Sequence, residues 1–256
     1  MNFKTFKKGF AASVLSVGLL FPLSSNVLAE PSNELSTATF LDNSQAITQS
    51  FDQNDIDKAT QEKLIEKVKN GELLDSLNPN KASEGITTTN YEKSAVTNSN
   101  SSEPLEGYTS KTVFPDGSFI TMKVTPTKVT PYDGENDRIT PQDVTPGPGS
   151  VCGSGYCNIV DAKVSYDTGV VYAEFLANYA IVNGGYDSIS KVYQPKVKVY
   201  LGSFSDLQKP VIDRPTETYY QSAKASMTWK YTSPTGTAQQ YLILNVQNDQ
   251  ATASSN

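Results

Sequence analysis

After residue 152 the apolar and polar positions alternate with a period of two in five successive runs. That pattern predicts five half-buried β-strands, at 158–166, 170–182, 189–201, 219–231 and 237–247. In the second run Val171, Ala173, Phe175, Ala177, Tyr179 and Ile181 share one face, and Glu174 and Asn178 lie on the other. In the fourth, Tyr219, Ala223, Ala225, Met227, Trp229 and Tyr231 are expected to point inward, alternating with Ser, Lys and Thr. Leu242, Leu244 and Val246 repeat the pattern in the fifth. Pro195 interrupts the third run, which marks an edge strand or a bulge. One apolar face per strand implies two sheets stacked face to face. A further hairpin is expected at 108–124 around Pro115-Asp116-Gly117, which brings the count to about seven, an Ig-like number. The expected fold class is all-β, an antiparallel β-sandwich over 152–256.

The N-terminal half follows other rules. Lys4, Lys7 and Lys8 precede an apolar stretch from Phe10 to Leu23, and Val27 and Ala29 stand at the −3 and −1 positions of a cleavage site. Residues 1–29 therefore read as a secretory signal peptide, too short for a membrane span, with the mature chain starting at Glu30. No Cys stands at the cleavage site, so a lipid anchor is not expected, and no second apolar run reaches spanning length. Residues 30–54 are rich in Ser, Thr, Asn and Gln and are expected to be disordered. Leu64, Ile65 and Val68 fall on one side of a helix at 55–70, capped by Asp55 or Asp57 and stopped by Gly71. Residues 80–106 read as a linker, and 125–151, with five Pro, as an extended connector. The expected organisation is a signal peptide (1–29), an acidic, partly disordered region (30–107), a hairpin and connector (108–151) and the sandwich (152–256).

Charge sharpens this division. The whole chain carries −6. Residues 30–151 hold 10 Lys and Arg against 19 Asp and Glu, whereas 152–256 hold 8 of each. All the acidity lies before the sandwich. The apolar fraction is 37%, and about 38% with Gly counted in place of Tyr, below the usual ~45–50% for a globular domain.

The stretch 64–79, from Leu64 to Asn78-Pro79, resembles a segment found after the signal peptide of uncharacterised exported proteins of Gram-positive bacteria. In that family a Pro-Asp-Gly hairpin tends to follow, as Pro115-Asp116-Gly117 does here. The resemblance covers under a fifth of the chain. It implies export and a modular layout, and it carries no mechanism.

The chemistry on offer is narrow. With no His, the chain cannot run a Ser-His-Asp or Cys-His mechanism or build a His-ligated metal site. Cys152 and Cys157 are too few for a Cys₄ site; in an exported chain they are expected to form a structural disulfide. No cofactor is expected. Asp133, Glu135 and Asp137 could begin a Ca²⁺ loop, but Arg138 stands where Gly is needed and Val144 where Glu is needed, so an acidic turn is expected and no metal. Glu174, an acid in mid-strand, could serve a carboxylate hydrolase. Alternation puts it on the wet face, as a solvated residue.

The 14 tyrosines are more telling. Tyr156, Tyr172, Tyr186 and Tyr220 fall in loops or on polar faces, where an exposed ring can stack on a sugar or a protein; cross-strand pairing is the alternative. Lys196 and Lys198 beside Tyr200 could meet an anionic wall polymer or simply protect an edge strand. Nucleic acid is disfavoured by the neutral-to-acidic balance. The first functional reading is thus a secreted, non-enzymatic module that binds a glycan or a protein. The alternatives are a membrane-active toxin or antimicrobial protein with 30–151 as pro-region and, last, a hydrolase. Oligomeric state is left open.

Overall fold

The computed structural model describes residues 33–93, 106–126, 150–233 and 235–255. The signal peptide at 1–29, the acidic turn at 133–137, most of the Pro-rich tract and the middle of the 80–106 linker lie outside them. Two helices come first, α1 (Asn33–Gln53) and α2 (Lys58–Lys69), then two short 3₁₀ segments, Asp75–Leu77 and Pro79–Glu84. Strands follow: β1 (Ile86–Lys93), β2 (Glu106–Val113), β3 (Phe119–Thr125), β4 (Val151–Gly153), β5 (Tyr156–Asp167), β6 (Val171–Val182) and β7 (Ser188–Val199). The last are β8 (Ser203–Ser205), β9 (Val211–Arg214), β10 (Ala223–Ser233), β11 (Gly236–Gln247) and β12 (Gln250–Ser254). The fold is mostly β, as the alternation predicts. No described helix is long and apolar enough to cross a membrane.

The strands form two antiparallel sheets. One runs β1-β2-β3-β5-β6-β7, with β4 paired to β5; the other runs β12-β11-β10-β8, with β9 paired to β10. Alternation sets the inner faces. Val171, Ala173, Phe175, Ala177 and Tyr179 of β6 are buried, and so are Ala225, Met227, Trp229 and Tyr231 of β10. Trp229, fully buried, meets Tyr166 of the facing sheet edge-on, with ring centroids 5.9 Å apart. Tyr231 donates its hydroxyl to the Leu201 carbonyl at 3.0 Å. β7 is an edge strand and is also bulged, with Gln194 at φ 52° beside Pro195.

Several expectations are corrected. Residues 30–54 are not disordered throughout, because α1 occupies most of them. Its buried apolar residues among those described, Ile47 and Phe51, are too sparse to signal an amphipathic helix, and packing rather than propensity accounts for it. Phe51 meets Phe119 edge-on at 6.1 Å. It also lies so close to Gly169 (φ +84°) that a Cβ there would fall 2.2 Å from the ring. Ser50 and Asn54 donate to the Asp167 carboxylate on β5. The helices thus form a third layer on the outer face of the seven-stranded sheet, within one continuous core.

α2 starts where Asp57 caps the Thr60 amide at 3.0 Å. It ends at Gly71, φ +74°, where Gly71 N–H bonds Val68 and Glu72 N–H bonds Lys67. The linker expected at 80–106 contains β1, a Thr-rich edge strand with little apolar signal. The polar C-terminus forms β12, which buries Ala251 and Ala253. Its turn, Asn248-Asp249, has both residues left-handed, as a type I′ hairpin requires. Twelve described strands replace the seven expected.

Candidate functional site

One end of the sandwich gathers four turns. The β4–β5 hairpin is closed by the Cys152–Cys157 disulfide, between residues directly opposite in register with Cα atoms 4.1 Å apart. The Tyr156 ring lies over Gly153, where a Cβ would come within 2.7 Å of it. Asn183 N–H donates to the Gly155 carbonyl at 2.9 Å, which ties this hairpin to the β6–β7 turn carrying Tyr186.

A buried carboxylate joins the other two turns. Asp187 is fully buried. Its oxygens accept from Val182 N–H at 2.8 Å and Asp249 N–H at 3.0 Å, and its carbonyl accepts from Glu217 N–H at 2.9 Å. Glu217 in turn accepts from Asn248 N–H at 3.1 Å. These acids anchor backbone. Thr218 and Gln221 then exchange backbone hydrogen bonds in both directions, at 2.7 and 3.2 Å. Tyr219 and Tyr220 sit at the tip of that tight turn, with rings edge-on and centroids 4.8 Å apart. Their exposures are 80% and 86%, and Tyr186 is 61% exposed.

The sequence therefore placed Tyr219 wrongly. β10 begins only at Ala223, so the residue expected in the core is among the most exposed aromatics. The reciprocal Thr218–Gln221 bonding explains the error, because a tight turn resets the alternation ahead of the strand. Tyr156, Tyr186 and Tyr220 come to this end together; Tyr156 is half-buried rather than free.

Tyr172 lies elsewhere, ten residues before the end of β6, or about 33 Å along the strand. It is half-buried on the outer face and donates its hydroxyl to Glu174. Glu174 also accepts from Lys196 Nζ at 2.9 Å. It is a paired carboxylate rather than the solvated one expected. Burial works against its charge, but the bonds from Lys196 and Tyr172 outweigh this and hold it below the ordinary glutamate value. A general acid needs the opposite shift. Among the described residues no group of three His, Cys, Asp or Glu is arranged to hold a metal.

Burial raises Asp187, against the bond from Val182 and with the neighbouring Glu217. Burial also raises Asp167, against the bonds from Gly169, Ser50 and Asn54. A carboxylate raised in the folded state binds its proton more tightly there, so stability grows as pH falls towards the ordinary carboxylate value near 4. The thermal midpoint is expected to peak on the acid side of neutrality, above about pH 4. The rise from neutral pH is expected to shrink in Asp187→Asn. A midpoint that falls steadily from pH 7 would contradict this.

Compared with protein-family models, with curated proteins and with solved structures, the chain matches none.

Proposed function

We propose that this is an exported, non-enzymatic binding protein that holds a glycan or protein surface with the tyrosines at the disulfide end of its sandwich. The observation that carries the reading is Tyr186, Tyr219 and Tyr220, exposed together on turns pinned by Asp187 and the Cys152–Cys157 hairpin. Rigid aromatic side chains give large contact area at low entropic cost, and rigid turns keep that cost low. Export rests on the basic and apolar pattern of residues 1–29 and agrees with the disulfide.

The test uses the mature chain from Glu30 on insoluble peptidoglycan, chitin and mannan and on a panel of cell-surface proteins. One of these is expected to retain the protein. The triple variant Tyr186→Ala, Tyr219→Ala, Tyr220→Ala is expected to lose about tenfold or more in affinity. Its stability is expected to stay within about 0.5 kcal/mol of wild type, because the three rings are exposed. Equal retention of wild type and variant would sink the proposal.

A further inference from the structure

The outer face of the seven-stranded sheet carries lysines and tyrosines in a register-fixed array across β5, β6 and β7. Lys163, Leu176 and Tyr193 form one row, Ser165, Glu174 and Lys196 the next, and Asp167, Tyr172 and Lys198 the third. Lys191, opposite Asn178 and two residues before Tyr193, places its Nζ 4.5 Å from the centre of the Tyr193 ring. Lys163, Lys191, Lys196 and Lys198 are exposed, while their inward neighbours Val164 and Val197 are buried. Lys123 of β3, opposite Ser165, extends the second row.

Three acids answer these five cations. Glu174 is taken by Lys196 and Tyr172, and Asp167 by Ser50 and Asn54. Asp161 stands in the bulge beyond the first row. The face keeps a positive excess on a chain whose net charge is −6. Along β7, Lys196 and Lys198 stand about 7 Å apart and Lys191 about 16 Å from Lys196, and β7 lies about 10 Å from β5. That spacing suits a polymer with charge at intervals rather than one small anion.

We propose that this face binds an anionic polysaccharide. Its carboxylate or sulfate groups meet Lys163, Lys191 and Lys198, and its hydroxyls meet the edges of the half-buried Tyr172 and Tyr193, whose faces lie under Lys196 and Lys191. The hydroxyl bond to Glu174 and the Lys191 ammonium hold the two rings in place beforehand. A lipid surface fits less well, because none of the large exposed apolar side chains lies on these three strands' outer face. A nucleic acid is a polyanion too, and single-stranded DNA therefore enters the test as a competitor. The inference shares with the proposed function only the exported location and uses a different surface.

The test passes the mature full chain over immobilised dextran sulfate, polygalacturonate and neutral dextran. Binding to both anionic polymers and none to neutral dextran is expected at about 50 mM salt, with release at about 500 mM. Lys163→Gln/Lys198→Gln is expected to lose about tenfold or more in affinity at an unchanged thermal midpoint. Lys163→Glu/Lys198→Glu is expected to lose more. The Tyr186/Tyr219/Tyr220 alanine variant is expected to bind as wild type, which separates this proposal from the previous one. Undiminished binding by the lysine variants would overturn it. So would tighter binding to single-stranded DNA or to phosphatidylglycerol vesicles than to the polymers.

Discussion

Phe51→Ala is expected to lower the unfolding free energy by about 3–5 kcal/mol, the cost of emptying a large buried aromatic site. Phe51 is fully buried, edge-on to Phe119 and pressed on the Gly169 turn. The turn cannot collapse into the space, since Gly169 is held by its own N–H bond to Asp167. The measurement is a urea titration of the mature chain followed by far-UV circular dichroism. The midpoint should fall with the slope unchanged, because the same surface is exposed on unfolding. A wild-type midpoint would make α1 an appendage. That outcome matters for function as well: a segment that belongs to the cooperative core is a poor pro-region, so the toxin reading weakens as the effect approaches the expected size.

Asp116→Ala should cost about 1–3 kcal/mol, because it strips a half-buried charge from a network and leaves its donors behind. Asp116 accepts from Lys67 Nζ at 2.7 Å, from Asp75 N–H at 2.9 Å and from both the amide and hydroxyl of Ser118. One side chain thus clamps α2 and the first 3₁₀ segment to the β2–β3 turn. Burial opposes its charge, but the bonds from Lys67 and Ser118 prevail and hold it below the ordinary aspartate value. A carboxylate lowered in this way stabilises the fold fully above about pH 4, and the contribution disappears as pH falls through the folded value. The gap between wild type and Asp116→Ala should therefore close on acidification. A gap independent of pH would show that the charge is not what matters.

The sheet interior was legible because Val171 to Tyr179 and Ala223 to Tyr231 bury one face over several residues, and period-two burial leaves a period-two sequence. β12 and β1 were not, because alanine and threonine pair well in ladders yet weigh little on any apolar scale. α1 was hidden for another reason: the contacts that hold it, Phe51 on Gly169 and Ser50 on Asp167, lie far along the chain. The charge step at residue 151 was real arithmetic, but strands on both sides of it share one sheet. The tyrosines were half legible. Composition pointed to them, and only the turns bonded through Asp187 and the bond from Asn183 to Gly155 bring Tyr156, Tyr186, Tyr219 and Tyr220 to one end.

The bond from Ser50 to Asp167 spans 117 positions. It sets an order on folding. A chain made from its N-terminus presents α1 first, yet the surface that holds α1, begun by Phe119 of β3, is not complete until β5 and the Gly169 turn have followed. Closing so long a loop is slow, because the entropy is lost before any contact repays it. The first helix therefore cannot make its full set of native contacts until most of the protein has been synthesised.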